Sequence, residues 1–126
     1  MERRVAAAVF GLLVGVAGCS NPDEPDVRQV ADAFAADAPQ QRCDLLAPDT
    51  LSTLVEDEGT ACPEAVGGLP LGSGAVESVE VWGEDALVHL SDDVLFLTRT
   101  DAGWRVSAAG CVSRGEAPYR CRVEGS

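Results

Sequence analysis

The chain has 126 residues, with 21 acidic against nine basic side chains and a net charge of −12. That balance excludes a nucleic-acid binder and electrostatic adhesion to an anionic lipid surface, since both need clustered positive charge. All nine basic residues are arginines, and the lack of lysine and isoleucine, both coded by AT-rich codons, points to a high-GC genome.

Glu2, Arg3 and Arg4 form a short charged start, and an apolar stretch follows from Val5 to Cys19. Its 15 residues fall short of the roughly 20 that cross a bilayer as a helix. A charged start, a short apolar middle and a small-residue exit are the layout of a secretory signal. The exit, Val16-Ala17-Gly18-Cys19, resembles the lipobox of bacterial lipoproteins. The resemblance implies diacylglycerol on the Cys19 sulfur, cleavage after Gly18 and acylation of the new amino terminus. Two or three acyl chains anchor a protein firmly, where one holds it only marginally. The expected organisation is a signal peptide over 1–18, a lipidated cysteine and tether over 19–26, and one folded domain over 27–126. The place is the extracytoplasmic face of the cell membrane. Cleavage leaves 108 residues, an ordinary domain, and deepens the net charge to −13 by removing one net positive charge.

SNPDEPD, from Ser20 to Asp26, reads as a polar, proline-stiffened tether. Asp26 is placed to cap a helix, with Gln29 three residues on as in a capping box. Val27, Val30, Ala31, Phe34, Ala35 and Ala38 recur at helical spacing until Pro39 stops the run. A shorter helix holds Cys43, Leu45 and Leu46 before Pro48. The next starts at Asp49 as cap and carries Leu51, Leu54 and Val55, and a last turn begins at Pro63, a favoured first helical position. Glu56, Asp57 and Glu58 lack the ordered spacing of a calcium loop and read as a solvated helix end.

GGLPLGSG, Gly67 to Gly74, separates this helical half from a strand-rich half. Four β-type runs follow, Val76–Trp82, Ala86–Leu90, Val94–Thr100 and Trp104–Ala109, divided by GED, SDD and DAG turns. Spacing this tight demands antiparallel hairpins. Besides Cys19, the cysteines are Cys43, Cys62, Cys111 and Cys121, an even set that reads in an exported domain as two disulfides. Three pairings exist, and Cys43–Cys62 with Cys111–Cys121 joins neighbours in the element order. No C-x-x-C pair supports a zinc site. The second bridge would fasten a final extended segment near Tyr119–Val123.

The expected fold is therefore α+β, with N-terminal helices packed on a curved four-stranded antiparallel meander and two disulfides. From Asp26 to Val123 this order resembles the nuclear-transport-factor-like superfamily, whose sheet wraps around helices to form a cone. AVESVEVWGEDALVHL and LFLTRTDAGWRV also resemble segments of small actinobacterial lipoproteins. There GWRV recurs as a strand that turns Trp104 and Val106 into the core. Enzymes of the cone-fold superfamily carry an Asp base or an Asp–His pair with a Tyr in the cavity. Here Asp85, Asp92, Asp93 and Asp101 fall in turns, and Tyr119 lies beyond Cys111.

His89 is the single histidine, and imidazole is the side-chain type most used as a general base. On its strand it lies opposite the Ala86, Val88, Leu90 face, where a cross-strand packing role fits it better. Arg99 and Arg105 on adjacent strands are candidates for holding an anion together, or for pairing with Glu77 or Glu80 across the sheet. Hydrolase motifs, metal-ligand spacings, phosphate loops and cofactor fingerprints are missing. Val94, Leu95, Phe96 and Leu97 are apolar on both faces of their strand, so both faces call for cover. Helices cover one. A homodimer, another protein or the C-terminal segment is left for the second. The reading is a non-enzymatic, lipid-anchored domain that binds a partner or small ligand, with ligand contacts possible at His89, Arg99 and Arg105. Its rivals are a small cavity enzyme of isomerase or dehydratase type and a structural spacer.

Overall fold

The computed structural model describes residues 21–125; the segment expected to carry the signal and Cys19 lies outside them. The order is four helices, α1 (Glu24–Ala35), α2 (Pro39–Leu45), α3 (Pro48–Glu58) and α4 (Cys62–Gly67), then five strands. The strands are β1 (Val76–Trp82), β2 (Asp85–Leu90), β3 (Asp93–Thr100), β4 (Gly103–Arg114) and β5 (Ala117–Glu124). They form one antiparallel sheet in sequence order. The domain is α+β, as its sequence implies, but the sheet has five strands rather than four.

The fifth strand follows from the length of β4. The fourth run was expected to end at Ala109, before Gly110. It instead continues to Arg114, with Gly110 in the left-handed region at φ +65°. A Cβ there would sit 2.9 Å from the Arg122 side chain, so the glycine lets two strands close up rather than ending one. Cys111 lies opposite Cys121 in the ladder and is bonded to it, which fixes the register of β5.

The helix starts also differ from the sequence reading, for a shared reason. α1 is capped by Asp23, not Asp26, and has proline in its first turn. The Asp23 side chain makes no cap hydrogen bond; its carboxylate is in contact with Arg99 of β3. Pro39 begins α2 and Pro48 begins α3, so each proline that reads as a stop is the entry to the next helix. Asp49 accordingly sits inside α3, with Ala47 as cap. Asp37, at φ 61°, reverses the chain between α1 and α2.

The helices pack on one face of the sheet. Val27, Ala31 and Phe34 of α1, Leu54 of α3 and Val66 of α4 are buried with Val88, Leu95, Leu97, Trp104 and Val106. The alternation of β2 and β3 places Ala86, Val88, Leu95 and Leu97 in this core, and Trp104 and Val106 lie in it too. A buried arginine holds the two halves of the chain together. Arg42 is 2% exposed. Its Nε donates to the Phe34 carbonyl at 2.8 Å and its Nη2 to the Gly72 carbonyl at 2.6 Å. Its guanidinium lies over the Phe34 ring at 5.1 Å and pairs with Asp37 at 3.0 Å. Between α2 and α3, Leu46 bridges to Val106 and the Ala47 N–H donates to the Val106 carbonyl at 2.8 Å, occupying the β4 edge beyond the end of β5.

Candidate functional site

The sheet face turned away from the core carries alternate residues of the strands: Leu87 and His89 on β2, Val94, Phe96 and Thr98 on β3. All are half-buried. Part of the cover for this face comes from the C-terminal strand. Tyr119 of β5 meets Phe96 edge to face, with ring centroids 5.3 Å apart and planes at 76°. That geometry suits the opposed charge of ring edge and ring face.

Beside this aromatic pair lies an open groove of about 460 Å³, lined by Phe96, Thr98, Ser107, Ala108, Pro118 and Tyr119, with Asp49, Thr50 and Glu124 contributing from the helical side and the end of β5. A bulge shapes it. Phe96 opposes Ala108 while Leu97 opposes Val106, so Ser107 is the extra residue and β4 bends there. The bulge is held from outside the β3–β4 ladder: the Ser107 carbonyl accepts from the Thr50 hydroxyl at 2.9 Å and from the Gly125 N–H at 3.3 Å. Thr50 is buried, and this bond pins the start of α3 against the sheet. The groove is thus lined by an aromatic pair, the hydroxyl-bearing residues Thr98, Ser107 and Tyr119, and the acidic residues Asp49 and Glu124, with the Thr98 hydroxyl donating to the Glu84 carbonyl at 3.4 Å. No periodic pattern announces it, because its walls come from α3, β3, β4 and β5.

The residues singled out from sequence are dispersed. His89 stands opposite Ser78 of β1 and Val94 of β3, neither of them a carboxylate. Arg99 opposes Trp104, whereas Arg105 opposes Thr98. Directly opposed residues share a face, so the two arginines point to opposite faces of the sheet. Arg99 lies over the Trp104 ring at 5.1 Å and pairs with Asp23, not with Glu77 or Glu80. Arg105 donates from Nη1 to the Trp104 carbonyl at 2.8 Å. Both line a second, smaller cleft of about 380 Å³ at the end of the sheet. Cys43 is bonded to Cys62, and Cys111 to Cys121. Among the described residues, no group of three or more His, Cys, Asp or Glu is placed to hold a metal ion, and no helix is long and apolar enough to cross a membrane.

Asp92 and Asp93 have a role that turn position alone does not reveal. Asp92 accepts the Ser73 N–H at 3.0 Å and the Gly74 N–H at 2.8 Å. Asp93 accepts from Gly72 at 3.0 Å, Gly110 at 3.1 Å and Cys111 at 3.2 Å. The β2–β3 turn therefore clasps the glycine-rich connector on one side and the middle of β4 on the other. The approach requires glycine: a Cβ at Gly72 would lie 2.4 Å from the Asp93 Cβ.

Bonds from Ser73 and Gly74 hold the Asp92 carboxyl below its ordinary value, because they favour the charged form. A depressed carboxylate stabilises the fold fully above its unfolded value of about 3.9, and that contribution is lost as pH falls through the lower folded value. Asp92→Asn is expected to be less stable than the parent at pH 6 and to close the gap below about pH 4. Urea midpoints measured along this series check it, and a gap that stays constant with pH rejects the role of charge at Asp92.

Comparison with family models, with curated proteins and with solved structures finds no match to the chain.

Proposed function

We propose that this chain is a lipid-anchored extracytoplasmic protein whose domain binds a partner or small ligand without transforming it. The observation that carries the reading is the groove beside Phe96 and Tyr119: an aromatic pair and three hydroxyls on a half-covered sheet face, edged by Asp49 and Glu124. Aromatic bodies with polar tips are the side chains that bind well at partly wet surfaces. Hydroxyls orient a bound group, and the two carboxylates favour a neutral or cationic one over an anion. Helices followed by an antiparallel meander support a nuclear-transport-factor-like domain, and the Val16–Cys19 lipobox supports the anchor.

The test separates the groove from His89. Thr98→Arg places a long charged chain in the groove, whereas His89→Ala removes an imidazole that stands apart from the groove lining. The full chain is purified from native envelope, and whatever accompanies it is identified by mass spectrometry. Thr98→Arg is expected to lose that molecule and His89→Ala to keep it. Equal retention by folded Thr98→Arg rejects the groove, and loss of cellular role in folded His89→Ala turns the reading to an enzyme. Cys19→Ala is expected to leave an unprocessed precursor that takes up no labelled palmitate; uptake by this variant rejects the anchor.

A further inference from the structure

Trp82 ends β1 and is 51% exposed, the sole aromatic among the exposed large hydrophobic residues of the described chain. Its position in the sheet is telling. Trp82 opposes Asp85 of β2, Asp85 opposes Thr98 of β3, and Arg99, the next residue, holds Asp23 at the start of α1. The Arg99 N–H also donates to the Glu84 carbonyl at 2.8 Å, tying the β1–β2 turn to the same end. Neighbouring strands are roughly 4.8 Å apart, so Trp82 stands about 10 Å across the sheet from Thr98, on the opposite face from Arg99 but at the same end of the sheet as the chain entry.

Four residues, Ser20 to Asp23, separate Cys19 from α1. Fully extended they span at most about 14 Å. A lipid on Cys19 therefore holds this end of the sheet against the bilayer, and the exposed indole with it. Indole rings settle at the headgroup level, with the apolar body towards the acyl chains and the N–H towards water. The neighbouring Glu84, Asp85 and Asp101 rule out attraction by charge as the cause. We infer that Trp82 is a second membrane contact, which rests on the interface of a lipid bilayer and fixes how the anchored domain stands on it. The inference rests on the anchoring of Cys19 proposed above.

The measurement uses the full acylated chain in phosphatidylcholine vesicles, with and without bromine on the acyl chains as a short-range quencher of tryptophan. Of the two tryptophans, Trp104 is buried in the core and serves as the internal reference. The parent is expected to lose the share of emission that belongs to Trp82 in brominated vesicles, and Trp82→Phe, with its Trp104 emission unchanged, to lose none. An acylated chain that floats with the vesicles, shows equal emission in both and is quenched by acrylamide keeps Trp82 in water. That result overturns the contact and leaves the anchor standing. Shielding from acrylamide without bromine quenching means that protein covers the ring, which also overturns it. A processed chain that carries no acyl group and stays off the vesicles overturns the anchor, and the contact with it.

Discussion

Arg42→Ala is expected to lower the unfolding free energy by about 2–4 kcal/mol, because two buried carbonyls each lose a donor at roughly 1–3 kcal/mol apiece. The substitution strips two buried carbonyls, Phe34 and Gly72, of the donors they face at 2.8 and 2.6 Å. It also removes a guanidinium stacked on Phe34 at 5.1 Å. The ion pair adds little to that cost, because Asp37 is 66% exposed and its charge is well hydrated when released. Asp37→Asn is therefore expected to cost at most about 1 kcal/mol, and the two substitutions separate the buried hydrogen bonds from the surface charge. Arg42→Lys keeps the charge but lacks the planar fork that reaches two carbonyls, so it falls nearer to alanine than to arginine. Urea unfolding of the three variants gives the comparison; an Arg42→Ala loss below that of Asp37→Asn rejects the network.

Removing the Cys43–Cys62 bridge by the double change to alanine is expected to cost about 3 kcal/mol, from the chain entropy that a closure of this length withholds from the unfolded state. The bridge spans 19 positions and joins α2 to α4, and both cysteines are buried. It also holds α2 next to the residue that carries the Arg42 network, so the two losses are coupled. Removing both is expected to cost less than the sum of the parts. Denaturant midpoints of the single and combined variants measure the coupling, and peptide mapping without reductant checks the pairing. A crossed bond such as Cys43–Cys111 in the mature protein rejects it.

The elements with local signals were readable from the chain. Val27 to Phe34 carry a helical stripe, and tight turns between alternating runs require hairpins whatever lies elsewhere. Adjacency in that order also selected the two disulfides from three pairings, and both are in the structure. What escaped depends on contacts distant in sequence. Gly110 looks like the end of a strand until Arg122 is placed against it. Asp92 and Asp93 look like solvated turn residues until Gly72, Ser73 and Gly74 are folded onto them. Arg42 stands between Gln41 and Cys43, as a surface arginine would, and only the arrival of Gly72 buries it. Asp23 outranks Asp26 as cap because Pro25 favours the first turn over the tether. The candidate groove was illegible for the same reason, since four elements each supply one wall.

The hop from α2 to α3 has a consequence for crowding. By seating Leu46 and Ala47 against Val106, the chain closes the stretch of the β4 edge that β5 leaves open. The outermost strands of the sheet are β1 and β5, and an outermost strand is a template for adding a stranger's strand. β1 carries Glu77 and Glu80, and its register slips between Val76 and Ser78. Irregular pairing and acidic side chains are the devices that stop such edges from joining. Copies that share one surface meet far more often than copies free in solution. On the proposed lipid anchor, a β4 stretch filled by the chain's own backbone and an acidic, irregular β1 leave fewer places for neighbouring copies to join strand to strand.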